Sequence, residues 1–170
     1  MSDNVVAGRS CGGCTLCCKL IDVPAVQKPA LQWCKHCVIG EGCGIHKDRP
    51  SECRAFNCAY LVSAALDERW KPVNSKFVVA MDEVNRTIYI YADAHGNAWR
   101  KEPSYSQIRK WAQRFWPLGG RVLVWGREVI AVLPDREVNL GAMQEGQRIN
   151  VRETATPLGS TFEIELVRDG

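Results

Sequence analysis

Cysteine thiolates are soft metal ligands and strong nucleophiles, and all nine cysteines of this chain fall between Cys11 and Cys58. The run Cys11-Gly12-Gly13-Cys14-Thr15-Leu16-Cys17-Cys18 is followed by Cys34-Lys35-His36-Cys37, then by Cys43, Cys53 and Cys58. A two-residue gap between cysteines lets both sulfurs fall on one side of a tight turn, within reach of a tetrahedral metal at ~2.3 Å or of neighbouring irons in a cluster. Three such gaps point to metal ligation rather than to ordinary buried thiols. Cys17 and Cys18 are adjacent, so their side chains diverge and one mononuclear site would not easily take both. Nine thiols could supply two tetrahedral zinc sites with one ligand spare, a three-zinc cluster with bridging sulfurs, or a [4Fe–4S] cluster beside a zinc. The order Cys11, Cys14, Cys17 echoes the opening of a bacterial ferredoxin run, but the fourth cysteine with its following proline is missing, which argues against ferredoxin itself.

Charge supports the same chemistry. Residues 1–58 carry seven Lys and Arg against five Asp and Glu, and nine thiolates would make that segment strongly anionic. Metal ions are the obvious neutralising partners. Whole-chain charge is only +3, too little of a basic face to expect nucleic acid as a partner. The first ten residues show no export signal, and no apolar stretch approaches the ~18 residues that span a bilayer. The expectation is a cytoplasmic protein with no membrane partner, in a reducing compartment where clustered cysteines serve metals or catalysis more often than disulfides. Metal ions are its expected partners, and a protein partner stays open.

The elements that must position these sulfurs come from a chain that is 46% hydrophobic over 170 residues, enough for a core without staples. Composition changes at Cys58, after which no cysteine occurs. The expected division is a cysteine-cluster metal-binding domain over 1–66 and a β-rich domain over 67–170, with the two forming one coupled unit as the alternative. The first half is loop-rich and glycine-rich. A helix from Ser51, as N-cap, to about Leu66 would place Phe56, Tyr60 and Ala64 toward a core and carry Cys53 and Cys58 out of the cluster.

In the second half, Lys76 to Met81 and Thr87 to Ala92 read as a hairpin, and Pro103 to Phe115 as an amphipathic helix ended by Gly119-Gly120. Its apolar face would be Ile108, Trp111, Ala112 and Phe115. Arg121 to Trp125 and Glu128 to Leu133 form a second predicted hairpin, and short strands are expected at Gln147 to Val151 and Thr161 to Val167. The fold class is therefore α+β: a loop-rich cysteine cluster with a helix, packed on a mainly antiparallel β half with one helix.

The run Cys11 to Cys18, the segment Gly42-Cys43-Gly44-Ile45-His46 and the element Arg49-Pro50-Ser51-Glu52-Cys53-Arg54-Ala55-Phe56 together resemble the CxxCxxCC family of zinc- or iron-chelating domains, the bacterial cysteine-cluster proteins. The resemblance covers residues 9–60. It implies that Cys11, Cys14, Cys17, Cys18, Cys43 and Cys53 belong to a shared ligand set, with Cys34, Cys37 and Cys58 present in closer relatives. A similar motif in flagellin lysine methylases implies an iron–sulfur cluster there, although this chain lacks their additional regions. At His46 the family often has an aromatic residue, so His46 is either a nitrogen ligand or, the reading preferred, a packing residue close to sulfur.

Smaller signals have plainer readings. Arg49 and Arg54 could donate hydrogen bonds to thiolates or pair with Asp48 and Glu52, and the sequence favours neither. His36 is expected to point outward. The six tryptophans are expected in the core, Arg109, Lys110 and Arg114 on a solvated face, and Asp93 with His95 in a turn. No nucleophile elbow, phosphate loop, dinucleotide fingerprint or His-Glu-x-x-His pair occurs, so the enzyme question is left open. Three functions compete: a zinc- or iron–sulfur-binding protein with a structural or metal-handling role, an iron–sulfur redox or methyl-transfer enzyme or accessory, and a zinc-ribbon-like module binding protein or RNA.

Overall fold

The computed structural model describes residues 4–157 and 159–168. The first three residues, part of the stretch read for export signals, lie outside that description. The cysteine half has little regular structure because its glycines and short turns sustain no periodicity. Its elements are a one-turn helix α1 (Cys17–Leu20), a two-residue ribbon of β1 (Cys37–Val38) and β2 (Gly42–Cys43), and the short helices α2 (Ser51–Ala55), α3 (Ala59–Val62) and α4 (Pro72–Ser75).

The single helix expected from Ser51 to Leu66 is thus two helices. Pro50, not Ser51, is the N-cap, and the Ser51 hydroxyl bonds to Glu52 instead. Phe56 and Cys58 adopt extended backbone (ψ 122° and 154°), which breaks the helix without any Gly or Pro. Tertiary packing accounts for the break. Tyr60 and Leu61 are buried against Val78, while Ala64, expected inward, is exposed.

The second half is built on a five-stranded sheet in the order β3 (Phe77–Asp82), β4 (Thr87–Ala92), β5 (Arg121–Trp125), β6 (Val129–Val132) and β7 (Glu137–Gly141). All its pairings are antiparallel except β4 with β5, which is parallel. That parallel pair needs a crossover. The crossover is α5 (Ser104–Phe115), with Ile108 and Ala112 fully buried and Trp111 and Phe115 packed alongside, as the apolar pattern predicts. A 3₁₀ turn, Trp116–Leu118, follows, and Gly119 at φ +75° supplies the left-handed residue that stops it. β7 was not expected, although Glu137-Val138-Asn139-Leu140 alternates as a strand should. The predicted short strands near 147 and 161 are longer: β8 (Gln147–Thr156) and β9 (Gly159–Arg168) pair as one ribbon.

Alternation along β3 and β4 divides the molecule into layers. Phe77, Val79, Ile88 and Ile90 face the cluster that holds α5, Trp99 and Trp116. Val78, fully buried, faces the other way and meets Leu20, Cys58, Tyr60 and Leu61, with its register partner Tyr91 at the side. The cysteine segment therefore lies on the sheet face opposite α5. Lys19 of α1 adds an ion pair to Asp93 just after β4, so Asp93, read from sequence as turn chemistry, also anchors the cysteine segment. Among the described residues no helix is long and apolar enough to cross a membrane.

Trp70, Trp99 and Trp116 are buried and Trp111 and Trp125 pack against the core, as expected, whereas Trp33 is exposed and lies near the Lys19 ammonium. Arg109 departs from the solvated face assigned to it: its guanidinium donates to the carbonyls of Leu133 and Pro134 (3.3 and 3.0 Å) and ties α5 to the end of β6. Nearby, Glu137 accepts from Arg100 (2.6 Å) and from the Tyr105 hydroxyl (2.8 Å).

Burial pushes the Glu137 carboxyl up, but the Arg100 and Tyr105 contacts outweigh it and leave it below its ordinary 4.5. A carboxyl lowered by folding adds stability above its unfolded value and loses it as pH falls through the folded one. Glu137→Gln should cost about 1–2 kcal/mol near neutrality, with the gap in urea midpoint closing as pH drops below 4.5. A gap unchanged down to pH 3 would show that charge is not what Glu137 contributes.

Candidate metal centre

Two tight turns open the site. The Cys14 amide donates to the Cys11 carbonyl (2.9 Å) and the Cys37 amide to the Cys34 carbonyl (3.0 Å), so two of the three two-residue gaps close as hydrogen-bonded turns. The Cys34 amide also bonds to the Cys18 carbonyl (2.9 Å), which brings the second turn against α1. Cys37 and Cys43 are register partners across β1 and β2, a spacing that puts facing Cβ atoms about 5 Å apart. The hairpin thus returns Cys43 to the Cys34–Cys37 turn.

Gly13 is where the first turn meets that hairpin. A Cβ there would stand 2.3 Å from the Gly40 carbonyl oxygen, closer than any backbone can tolerate. Beside it the Gly40 amide donates to the Thr15 hydroxyl (3.3 Å). Gly13→Ala is expected to lower both stability, by about 1–3 kcal/mol as an overpacking effect, and the amount of metal carried per chain. Thermal melting with elemental analysis tests it, and wild-type values in both would show that this contact is not needed.

Eight of the nine predicted ligands, Cys11, Cys14, Cys17, Cys18, Cys34, Cys43, Cys53 and Cys58, line one cavity of about 250 Å³. Cys37 stands behind Cys18, within thiol–thiol hydrogen-bonding reach of it. Cys58 closes the buried end and Cys11 the exposed end. Five of the eight, Cys11, Cys14, Cys17, Cys18 and Cys43, also border a wider cleft that opens to solvent past His46, Arg49 and Arg54. The sulfurs are gathered but not converged: among the described residues no three His, Cys, Asp or Glu side chains form a ready-made group able to hold a metal ion. Every cysteine is a free thiol.

Five of the thiols, Cys11, Cys18, Cys37, Cys53 and Cys58, are held toward their protonated form. Cys18 is raised most, first by its hydrogen bond to Cys17 and then by burial. Burial raises Cys37 to about 11, with Cys18 adding to the effect and the Thr15 hydroxyl opposing it. Burial likewise raises Cys11, Cys53 and Cys58, with neighbouring thiols adding to it. Arg49 opposes the shift at Cys11 and Cys53, and the Leu61 amide opposes it at Cys58. These upward shifts reflect burial and the crowding of thiols, which a bound cation would relieve while displacing the protons.

Arg49 carries the feature that bears on fit. Its Nη1 contacts His46 Nε2 (2.9 Å), but its Nε is buried with no hydrogen-bond partner. A buried guanidinium N–H without an acceptor is costly, and a metal thiolate is an acceptor that the neighbouring Cys11 and Cys53 would supply. Donor chemistry and this orphaned N–H both fit a thiolate-bound metal. Of the two sequence readings of Arg49, the thiolate-facing one matches its position; Arg54 is exposed. His46 is exposed beside Arg49, while His36, expected to point outward, is half-buried and lines the cavity.

Lys28 and Thr15 escaped the sequence reading. Apart from Thr87 in the sheet, they are the buried polar side chains among the described residues, and both sit at the cysteines. A lysine carries no burial signal of its own, and only the path of the chain reveals it. No family model, curated protein or solved structure matches the chain.

Proposed function

We propose that this chain is a metal-binding protein whose cysteines hold zinc or an iron–sulfur cluster as thiolates, in a structural or metal-handling role. One observation carries the reading: eight cysteines from five separate stretches of chain surround a single cavity against the sheet. Ordinary buried thiols have no reason to collect in this way. The orphaned Arg49 Nε supports it as a donor awaiting sulfur. The motif likeness to cysteine-cluster chelating domains points in the same direction.

When bound, the metal would supply cross-links that a loop-rich segment cannot make from hydrogen bonds alone. The chain's own groups do the rest. The two turns aim paired sulfurs, and Arg49 and the backbone amide at α3 stabilise thiolate charge. The sheet face shields the buried end from water. A cytoplasmic location belongs to this proposal, since reducing conditions keep the thiols available.

The zinc-ribbon-like module is the second reading, favoured by the Cys34–Cys37 turn leading into the β1–β2 hairpin that returns Cys43. The test is elemental analysis with an ultraviolet–visible spectrum on protein purified anaerobically without an affinity metal column. Two or three zincs per chain support a structural or metal-handling site, and about four irons with matching sulfide support a redox or methyl-transfer role. Protein that carries neither metal, and takes up neither on reconstitution, overturns the proposal. Salt-sensitive RNA binding would favour the module.

A further inference from the structure

Between α1 and the second turn the chain makes a small strap. The amide of Val23 bonds to the Lys28 carbonyl (2.8 Å) and that of Lys28 to the Val23 carbonyl (3.1 Å), around a 3₁₀ turn and a left-handed Gln27. The strap turns Lys28 inward, and Lys28 ends 5% exposed. Its ammonium donates to the carbonyls of Lys19 (2.8 Å) and Ile21 at the C-terminal end of α1. Those carbonyls are the unpaired acceptors that every helix end presents.

An ammonium has three donors, and the two carbonyls take two of them. Lys28 lines the cysteine cavity. The acidic groups near enough to hold its positive charge are Cys18, Asp22, Cys34 and Cys17, although burial outweighs them and lowers the ammonium from its ordinary value. Asp22 is exposed. A cation buried this deeply, with neutral carbonyls for hydrogen-bond partners, is unstable unless anionic charge develops beside it. Thiolates bound to a metal supply that charge, since four of them around a divalent ion leave two negative charges over.

We infer that Lys28 is the built-in counter-cation of the thiolate centre, directing its remaining N–H at the sulfur of Cys18 or Cys34 and thereby setting how tightly the metal is held. This rests on the metal-binding reading and assigns a positioning residue to it. Lys28 is not a ligand. Its effect passes through the thiolates, whose charge it offsets and whose orientation it fixes together with the end of α1.

Zinc affinity of the full chain, measured by competition with a chromophoric chelator, separates charge from helix capping. Lys28→Gln keeps two amide donors for the carbonyls but no charge, and it should weaken zinc binding about tenfold or more, the scale of lost contacts to ligands. Lys28→Arg keeps charge and donors and should stay near wild type. Equal zinc affinity in wild type and Lys28→Gln overturns the inference while leaving the metal site standing; wild-type protein that binds no zinc and carries no iron overturns both.

A measurement on wild type does not depend on a variant folding. In protein labelled with ¹⁵N at lysine Nζ, the Lys28 resonance should move on cadmium loading while that of Lys76, which bonds to the exposed Val73 carbonyl, does not. A Lys28 resonance unmoved in fully loaded protein would overturn the inference.

Discussion

Cys18→Ser should strip the protein of most of its metal and leave the segment before residue 59 open to protease, with the sheet half still resistant. Cys18 sits among the other thiols. It hydrogen-bonds with Cys37 and Cys17, and its nearness adds to the upward shifts of Cys11, Cys37 and Cys53. Serine is a poorer ligand than thiolate for zinc and iron. Removing this one sulfur therefore weakens whatever centre the others build. Metal per chain is expected to fall by roughly half or more, since a structural site rarely survives loss of one ligand in four.

Trypsin reports the structural consequence. Lys35 and Lys47 stand exposed in the cysteine segment and should become early cleavage sites in the variant. Cys17→Ser is expected to act in the same direction. Unchanged metal content and protease resistance in both variants would show that the adjacent pair does not bind metal.

Trp116→Ala should be the most destabilising single change on the other side of the sheet. The indole is 1% exposed, its ring centre lies 5.1 Å from that of Phe162, and its N–H donates to the Val132 carbonyl at 2.7 Å. Truncation creates a large cavity and orphans a buried carbonyl, together costing about 3–5 kcal/mol. For a chain of this size that is a melting temperature lower by about 10 °C. Because Trp116 and the cysteines lie on opposite faces, metal content of the folded fraction should not change. Exposed Trp33 serves as the control, with Trp33→Ala costing under about 1 kcal/mol. Equal losses in the two variants would mean that the layer assignment is wrong.

The two results would divide the molecule by the origin of its stability. Below the sheet, cohesion would come from thiolates meeting the proposed metal. Above it, cohesion comes from buried aromatic and aliphatic surface around α5, Trp99 and Trp116. Strand β3 belongs to both, with Val78 toward the cysteine side and Phe77 and Val79 toward α5, because a buried strand presents alternate side chains to opposite layers.

Much of this was legible in the residues alone, and for identifiable reasons. The gathering of the cysteines was foreshadowed by their spacings because turn geometry is local: two intervening residues suffice to place a pair of sulfurs. The helix over Ser104–Phe115 and the hairpin of β3 and β4 were readable because their apolar periods of 3.6 and 2 are written into consecutive positions. The α+β class followed from those elements.

What the sequence left open depends on contacts between distant positions. The break between α2 and α3 has no local signal, since it arises where Tyr60 and Leu61 turn to meet Val78. β7 and the full length of β8 and β9 needed their pairing partners, as strands do. The parallel pairing of β4 with β5 was decided by the path of α5 rather than by either strand. At the site itself, the candidate ligands were set by composition and spacing, whereas the enclosure of eight of them in one cavity, the inward turn of His36, the orphaned Arg49 Nε and the burial of Lys28 were decided by tertiary structure. Local sequence specifies turn chemistry and periodicity, but which charges share a cavity is settled only when segments far apart in the chain pack on the same face of a sheet.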